Sequence, residues 1–146
     1  MYRVHPKYPH LFSSLKINNL ILKNRIFYAP VEYYHDRALS GSAVMMRGTS
    51  GTLTPGKWLF SDSEMPRVKQ ELSMIKRAGS FASLEVMHAG LEAHLAKGEF
   101  VIGPSDGVNK YGNIIKQMDR QMMDQMIHDF VETCLIAKQI GYDMIM

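Results

Sequence analysis

On either side of Asn18-Asn19, in the stretch SLKINNLILKN, apolar and polar residues alternate with a period of two. That is the spacing of strands with one face buried. Asparagine tolerates the left-handed conformation of a tight turn, so Leu15–Ile17 and Leu20–Leu22 are expected to form a small hairpin. The next apolar run, Arg25 to Ala29, suits a buried strand ended by Pro30, which has no N–H for a ladder. EYYHDRALSG supports a short helix stopped at Gly41, and SAVMM is a second short strand. From Pro66 the period lengthens: Val68, Leu72 and Ile75 stand at i, i+4 and i+7, one face of a helix. Pro66 fits its first turn, Lys76 and Arg77 its last, and Gly79 its stop. FASLEVMHAG supplies a third strand, Ala82 to Met87. After a loop containing GPSDG, Asp119 stands where it can cap a long helix. The expected inner face of that helix is Met123, Met126, Phe130, Cys134 and Ala137, with Gly141 as its end. YDMIM is a fourth apolar run.

Strand and helix in regular alternation argue for parallel β/α units. Two architectures share that pattern, an open parallel sheet and a piece of a barrel. A closed (β/α)₈ barrel takes ~250 residues. The 146 residues here would supply about half of one, read as a single, incomplete N-terminal portion. With 46% apolar and 21% charged residues the chain can bury a core.

Charge narrows the partners. The net charge is +3, but 17 basic residues are interleaved with 14 acids, without the clustered basic footprint of nucleic-acid binding. No apolar run approaches the roughly 20 residues that span a bilayer. The start, MYRVHPKYPHLF, lacks the apolar centre of a secretory signal. Cys134 is the single cysteine, which leaves no internal disulfide and fits a reducing cytoplasm.

Few residues offer chemistry. GTLTPGKW, Gly51 to Trp58, reads G-x-x-x-x-G-K, the front of a phosphate-binding loop. A P-loop needs Ser or Thr after the lysine to hold Mg²⁺, and a helix directly after that. Trp58 stands there instead, followed by turn formers and a proline. His88 has no Cys, Asp or His at ligand spacing, so a hydrogen-bonded framework role in the HAG turn is expected. Cys134 reads as core, and Tyr33, Tyr34 and His35 as packing or surface. Glu85 is different. A lone carboxylate on a buried-looking strand needs a partner, which favours a binding role.

Six segments in order resemble the N-terminal half of the Old Yellow Enzyme family, the NADH:flavin oxidoreductases with their enoate and dienoyl-CoA reductase relatives. They are LFSSLKINNLILKNRIFYAP, EYYHDRALSGSAVMM, the loop GTLTPGKW, LEVMHAG, GPSD and DFVETCLIAKQIGYDMIM. The resemblance runs from about Leu11 to Met146 and implies an α/β fold. The fold would be a partial (β/α)₈ TIM barrel: an N-terminal hairpin, about four strands and three helices. It further implies FMN at the C-terminal ends of the strands, where barrel active sites gather. NADH or NADPH would be the reductant and an unsaturated carbonyl or acyl compound the substrate. Ala29, Pro30, Val31 and Glu32 would lie beside the flavin ring system, one of Gly48, Thr49 and Ser50 at its edge, and Glu85 where relatives carry a flavin-binding glutamine. Lys57 would stand near the family's arginine, in a loop beside the flavin.

Three departures bear on activity. Only Val31 and Glu32 separate Pro30 from the first helix, and Leu91 replaces the arginine that commonly follows HAG. In the family the substrate-binding His-x-x-His or His-x-x-Asn motif follows the fourth strand, so catalytic residues are expected beyond Met146. An iron–sulfur cluster would belong only to a longer parent chain. Alone, the portion is expected to be inactive. The competing expectation is a non-catalytic half-barrel that self-associates through bare sheet edges.

Overall fold

A computed structural model describes residues 6–30, 34–49, 57, 59–93 and 100–146. The expected hairpin is present as β1 (Leu15–Ile17) and β2 (Leu20–Leu22), paired antiparallel with Leu15 across from Leu22. Asn18 takes the left-handed conformation at φ 49°, the role for which asparagine suits the turn. Next come β3 (Phe27–Tyr28), α1 (Tyr34–Leu39), β4 (Val44–Gly48), α2 (Met65–Arg77) and β5 (Phe81–Glu85). A 3₁₀ turn at Gly90–Glu92 leads to β6 (Val101–Gly103), β7 (Gly107–Val108) and β8 (Ile114–Gln117). Then α3 (Arg120–Ile140) and β9 (Met144–Ile145) complete the order.

The described residues fall into two compact units. One holds the hairpin and a four-stranded sheet in the order β3-β4-β5-β9, every pair parallel. Sequential strands lying side by side in parallel, each pair with a helix between its strands in the chain, is the β/α order of a barrel wall. Leu22 packs with Ala43 and Val44 in the core, and Leu15, Ile17, Leu20, Phe81 and Met144 close around them. Val44 and Phe81 open their strands, so the hairpin covers the N-terminal end of the sheet. Asn24 fixes the approach: its amide donates to the Gly41 carbonyl at 2.7 Å, and its carbonyl accepts the Ile26 N–H at 3.1 Å.

On α2, Val68, Leu72 and Ile75 are buried as their spacing predicts, and Gly79 ends the turn at φ 72°. Arg47, near the end of β4, is buried against Glu71 of α2, which also pairs with Arg67 at 2.7 Å. Asp143 ties β9 into the unit, accepting the Ala82 N–H at 2.9 Å and pairing with Lys76 at 3.2 Å.

Expectations change for two strand regions and for one face of α3. The first strand is shorter than Arg25 to Ala29 and is not buried: β3 is a sheet edge with β4 as its one neighbour, and Phe27 is 39% exposed. In the second unit, the stretch read as loop around GPSDG contains the three-stranded sheet β6-β8-β7. Its strands are two to four residues long and Ile114 is 68% exposed, too short and too open for a legible period.

The third helix begins as expected, with the Asp119 carboxylate accepting the Met122 N–H at 2.8 Å. Its buried residues are Thr133 and Ala137, with Met122 and Met126 half-buried, whereas Met123 is exposed. One residue is about 100° of helix, so Met122 and Met123 cannot share a face. Among the described residues, no helix is long and apolar enough to cross a membrane.

The Arg47–Glu71 pair carries a stability prediction. Glu71→Ala strips a buried guanidinium of its carboxylate and is expected to cost about 3 kcal/mol in urea unfolding. Arg67→Ala, at the half-exposed end of the same cluster, should cost less than about 1 kcal/mol.

Candidate functional site

The four parallel strands of the first unit all point their C-terminal ends the same way. Register decides what meets there. Val44 lies across from Phe81, and the ladder runs to Gly48 across from Glu85. Side chains alternate between sheet faces, and residues across a ladder share a face. Arg47 reaches α2 through Glu71, so its neighbour Gly48 projects to the opposite face. Glu85 shares that face with Gly48, and Met46 and Ser83 lie one layer below.

This end of the sheet is polar but unsatisfied. Ser83 is fully buried, and its hydroxyl has no hydrogen-bond partner among the described residues. Glu85 is half-buried, and its carboxylate likewise lacks an ion pair or hydrogen bond among them. Buried polar groups are normally paired, so Ser83, with the half-buried carboxylate of Glu85 in the next layer, leaves hydrogen-bonding capacity for a bound molecule. Gly48 adds no side chain over its strand end. A flat ring system with polar edge atoms fits this arrangement: backbone on one strand, an acceptor on the next. Ala29 and Pro30 follow directly on Tyr28, the last residue of β3, and both are exposed. Val31, Glu32 and Ser50, with Gly51 to Gly56 and Trp58 of the loop, lie outside the described residues.

The second unit holds the residues next along the chain. Thr49 is fully buried. Its hydroxyl accepts the Met87 N–H at 2.8 Å and donates to the Met87 carbonyl at 3.2 Å. His88 accepts the Gly90 N–H on Nδ1 at 2.9 Å, the framework role expected of the HAG turn. Among the described residues, no group of three His, Cys, Asp or Glu could hold a metal. Lys110 and Tyr111 hold the Glu92 carboxyl below its ordinary range, and Glu92 in turn raises Lys110. All of that cluster is at the surface.

Sequence reasoning passed over Arg47, Ser83 and the Thr49–Met87 contact. A signal existed for the first: an arginine inside the apolar run AVMMRG has to be paired if the strand is buried. Ser83 and the Thr49 contact carry no such mark, since both depend on which strands become neighbours.

Comparison with known proteins agrees with this architecture. The family model for NADH:flavin oxidoreductases and NADH oxidases matches residues 31–146. An NADPH dehydrogenase of Listeria monocytogenes is 23% identical over 92% of this chain and 46% of its own length. A probable NADH-dependent flavin oxidoreductase of Bacillus subtilis is 24% identical over 96% of this chain and 44% of its own. The chain thus spans about half the length of the curated relatives it matches. In fold it is similar to the Old Yellow Enzyme from Pichia sp., with a TM-score of 0.79 at 21% identity, covering 93% of this chain and 45% of that one. Such neighbours are TIM barrels, so the α/β, partial-barrel fold class holds.

The unpaired carboxylate makes a direct prediction. A residue kept for binding costs stability when nothing is bound, so Glu85→Gln should leave the ligand-free protein as stable as the parent or raise it by about 0.5 kcal/mol. Thermal unfolding of the two proteins side by side measures this. A loss of 1 kcal/mol or more, about the worth of a lost charged hydrogen bond, would mean Glu85 has a structural partner.

Proposed function

The chain belongs to the NADH:flavin oxidoreductase / NADH oxidase family, and we propose that residues 1–146 are the N-terminal portion of an FMN-binding barrel of ene-reductase type. The observation that carries the reading is the layer formed by Gly48 and Glu85 at the C-terminal end of a parallel sheet, with the unsatisfied Ser83 beneath it. When bound, FMN supplies the hydride chemistry between NADH or NADPH and the activated C=C bond of an unsaturated carbonyl or acyl compound.

The residues of this chain do the holding. The backbone of Ala29 and Pro30, continuing through Val31 and Glu32, borders the ring system. One of Gly48, Thr49 and Ser50, at the end of the second strand, meets its edge. Glu85, where relatives carry glutamine, offers an acceptor only: an ionised carboxylate can take a hydrogen bond from a ring N–H but cannot give one. That restricts Glu85 to the donor edge of the ring. The residues that position the substrate are expected beyond Met146. A cytoplasmic setting, where Cys134 stays reduced, suits a nicotinamide-dependent reductase.

A second reading, a non-catalytic module that associates through its sheet edges, draws on β3 and β9. Both are edges of the parallel sheet, and Phe27 and Ile145 are 39% and 42% exposed there. One experiment separates the two. Quenching of free FMN fluorescence on titration with the purified chain, at an affinity that drops about tenfold in Glu85→Ala, is the expected result. An absence of FMN binding together with concentration-dependent oligomers in sedimentation would overturn the flavin reading and favour the module.

A further inference from the structure

We infer that Thr49 is a positioning residue, its hydroxyl a latch on the backbone of Met87, rather than a direct contact of the cofactor. The inference rests on the flavin reading above for its functional consequence, but the latch itself stands on geometry. Thr49 is fully buried, and one oxygen serves both polar groups of one residue: it accepts the Met87 N–H at 2.8 Å and gives its proton to the Met87 carbonyl at 3.2 Å. A threonine hydroxyl has a single proton, so its donor capacity is spent.

The position of the latch explains its use. The ladder between the second and third parallel strands ends where Gly48 faces Glu85. Met87 lies two residues past that point, where no strand ladder satisfies its backbone. The Thr49 side chain takes the place of a strand partner. It thereby sets the path of the chain into the HAG turn, whose His88 ring is in turn bonded to the Gly90 N–H. Thr49 directly follows Gly48 and Met87 follows Glu85 by two residues, so the latch constrains how the chain leaves both strand ends. The Thr49 hydroxyl then has no proton left to give to an acceptor of the ring.

Thr49→Val keeps the shape and removes the hydroxyl, and Thr49→Ser keeps the hydroxyl. Hydrogen exchange at the Met87 amide reads the latch, and FMN fluorescence quenching reads its consequence. In Thr49→Val, Met87 exchange is expected to quicken about tenfold and FMN affinity to fall about tenfold, while Thr49→Ser stays within about twofold of the parent in both. Weakened FMN binding with unchanged Met87 exchange would mean that Thr49 touches the ligand, and would overturn the inference. So would a Thr49→Val protein equal to the parent in both readouts. If the parent binds no FMN while Met87 exchange still depends on the hydroxyl, the latch is real, but the flavin reading fails and the positioning role fails with it.

Discussion

The parallel register of β4 on β5 is the constraint on which the rest of this structure depends. Because the side-chain period of a strand is two, one register places five residue pairs and sorts them onto two faces. Val44 and Phe81 meet at the end covered by the hairpin, Arg47 and Leu84 share the helix side, and Gly48 and Glu85 meet at the far end. A one-residue slip of β4 would turn Arg47 away from the helix, and one of β5 would turn Glu85 toward it. The N-terminal end of the ladder is pinned by two contacts that such a slip would break. Phe81 donates its N–H to the Ala43 carbonyl at 2.8 Å, and Ser80 caps the same approach by bonding the Ser42 carbonyl at 2.6 Å.

Charge reinforces the same choice. Arg47 is too polar for the middle of a buried strand unless a carboxylate meets it, and Glu71 does so from α2. A buried ion pair is weak evidence of net stabilisation, because desolvation consumes most of the attraction. Its value here is directional. Glu71 meets Arg47 from the helix side, so the pair favours the register in which that face of β4 meets α2.

The site is built by subtraction as much as by placement. Polar groups in β5 and just past the end of β4 along the chain are treated differently. Thr49 is saturated by Met87, whereas Ser83 and Glu85 lack partners among the described residues. Saturated groups hold a scaffold, and unsaturated ones keep hydrogen-bonding capacity to spare. Glutamine in place of Glu85 would serve either edge of a ring. The carboxylate accepts only, which would narrow how a bound ring could lie against it.

Local chemistry settled much of this in the sequence. Asn18 at the hairpin, Gly41 and Gly79 after their helices, and Asp119 at a helix start are each dictated by backbone preferences that a residue carries with it. The face Val68, Leu72 and Ile75 is likewise written in its spacing. The ordered motifs then identified a half-barrel, and with it the strand ends at Gly48 and Glu85. What the chain alone did not determine were the quantities set by neighbours. Phe27 is exposed because β3 has one strand beside it, Met123 is exposed because α3 buries the face through Met122, and the small sheet β6-β8-β7 exists through pairings too short to leave a period. Arg47 with Glu71, and Thr49 with Met87, join residues 24 and 38 positions apart. Spacing along a chain reports which face a side chain takes, but only tertiary packing reports what it finds there.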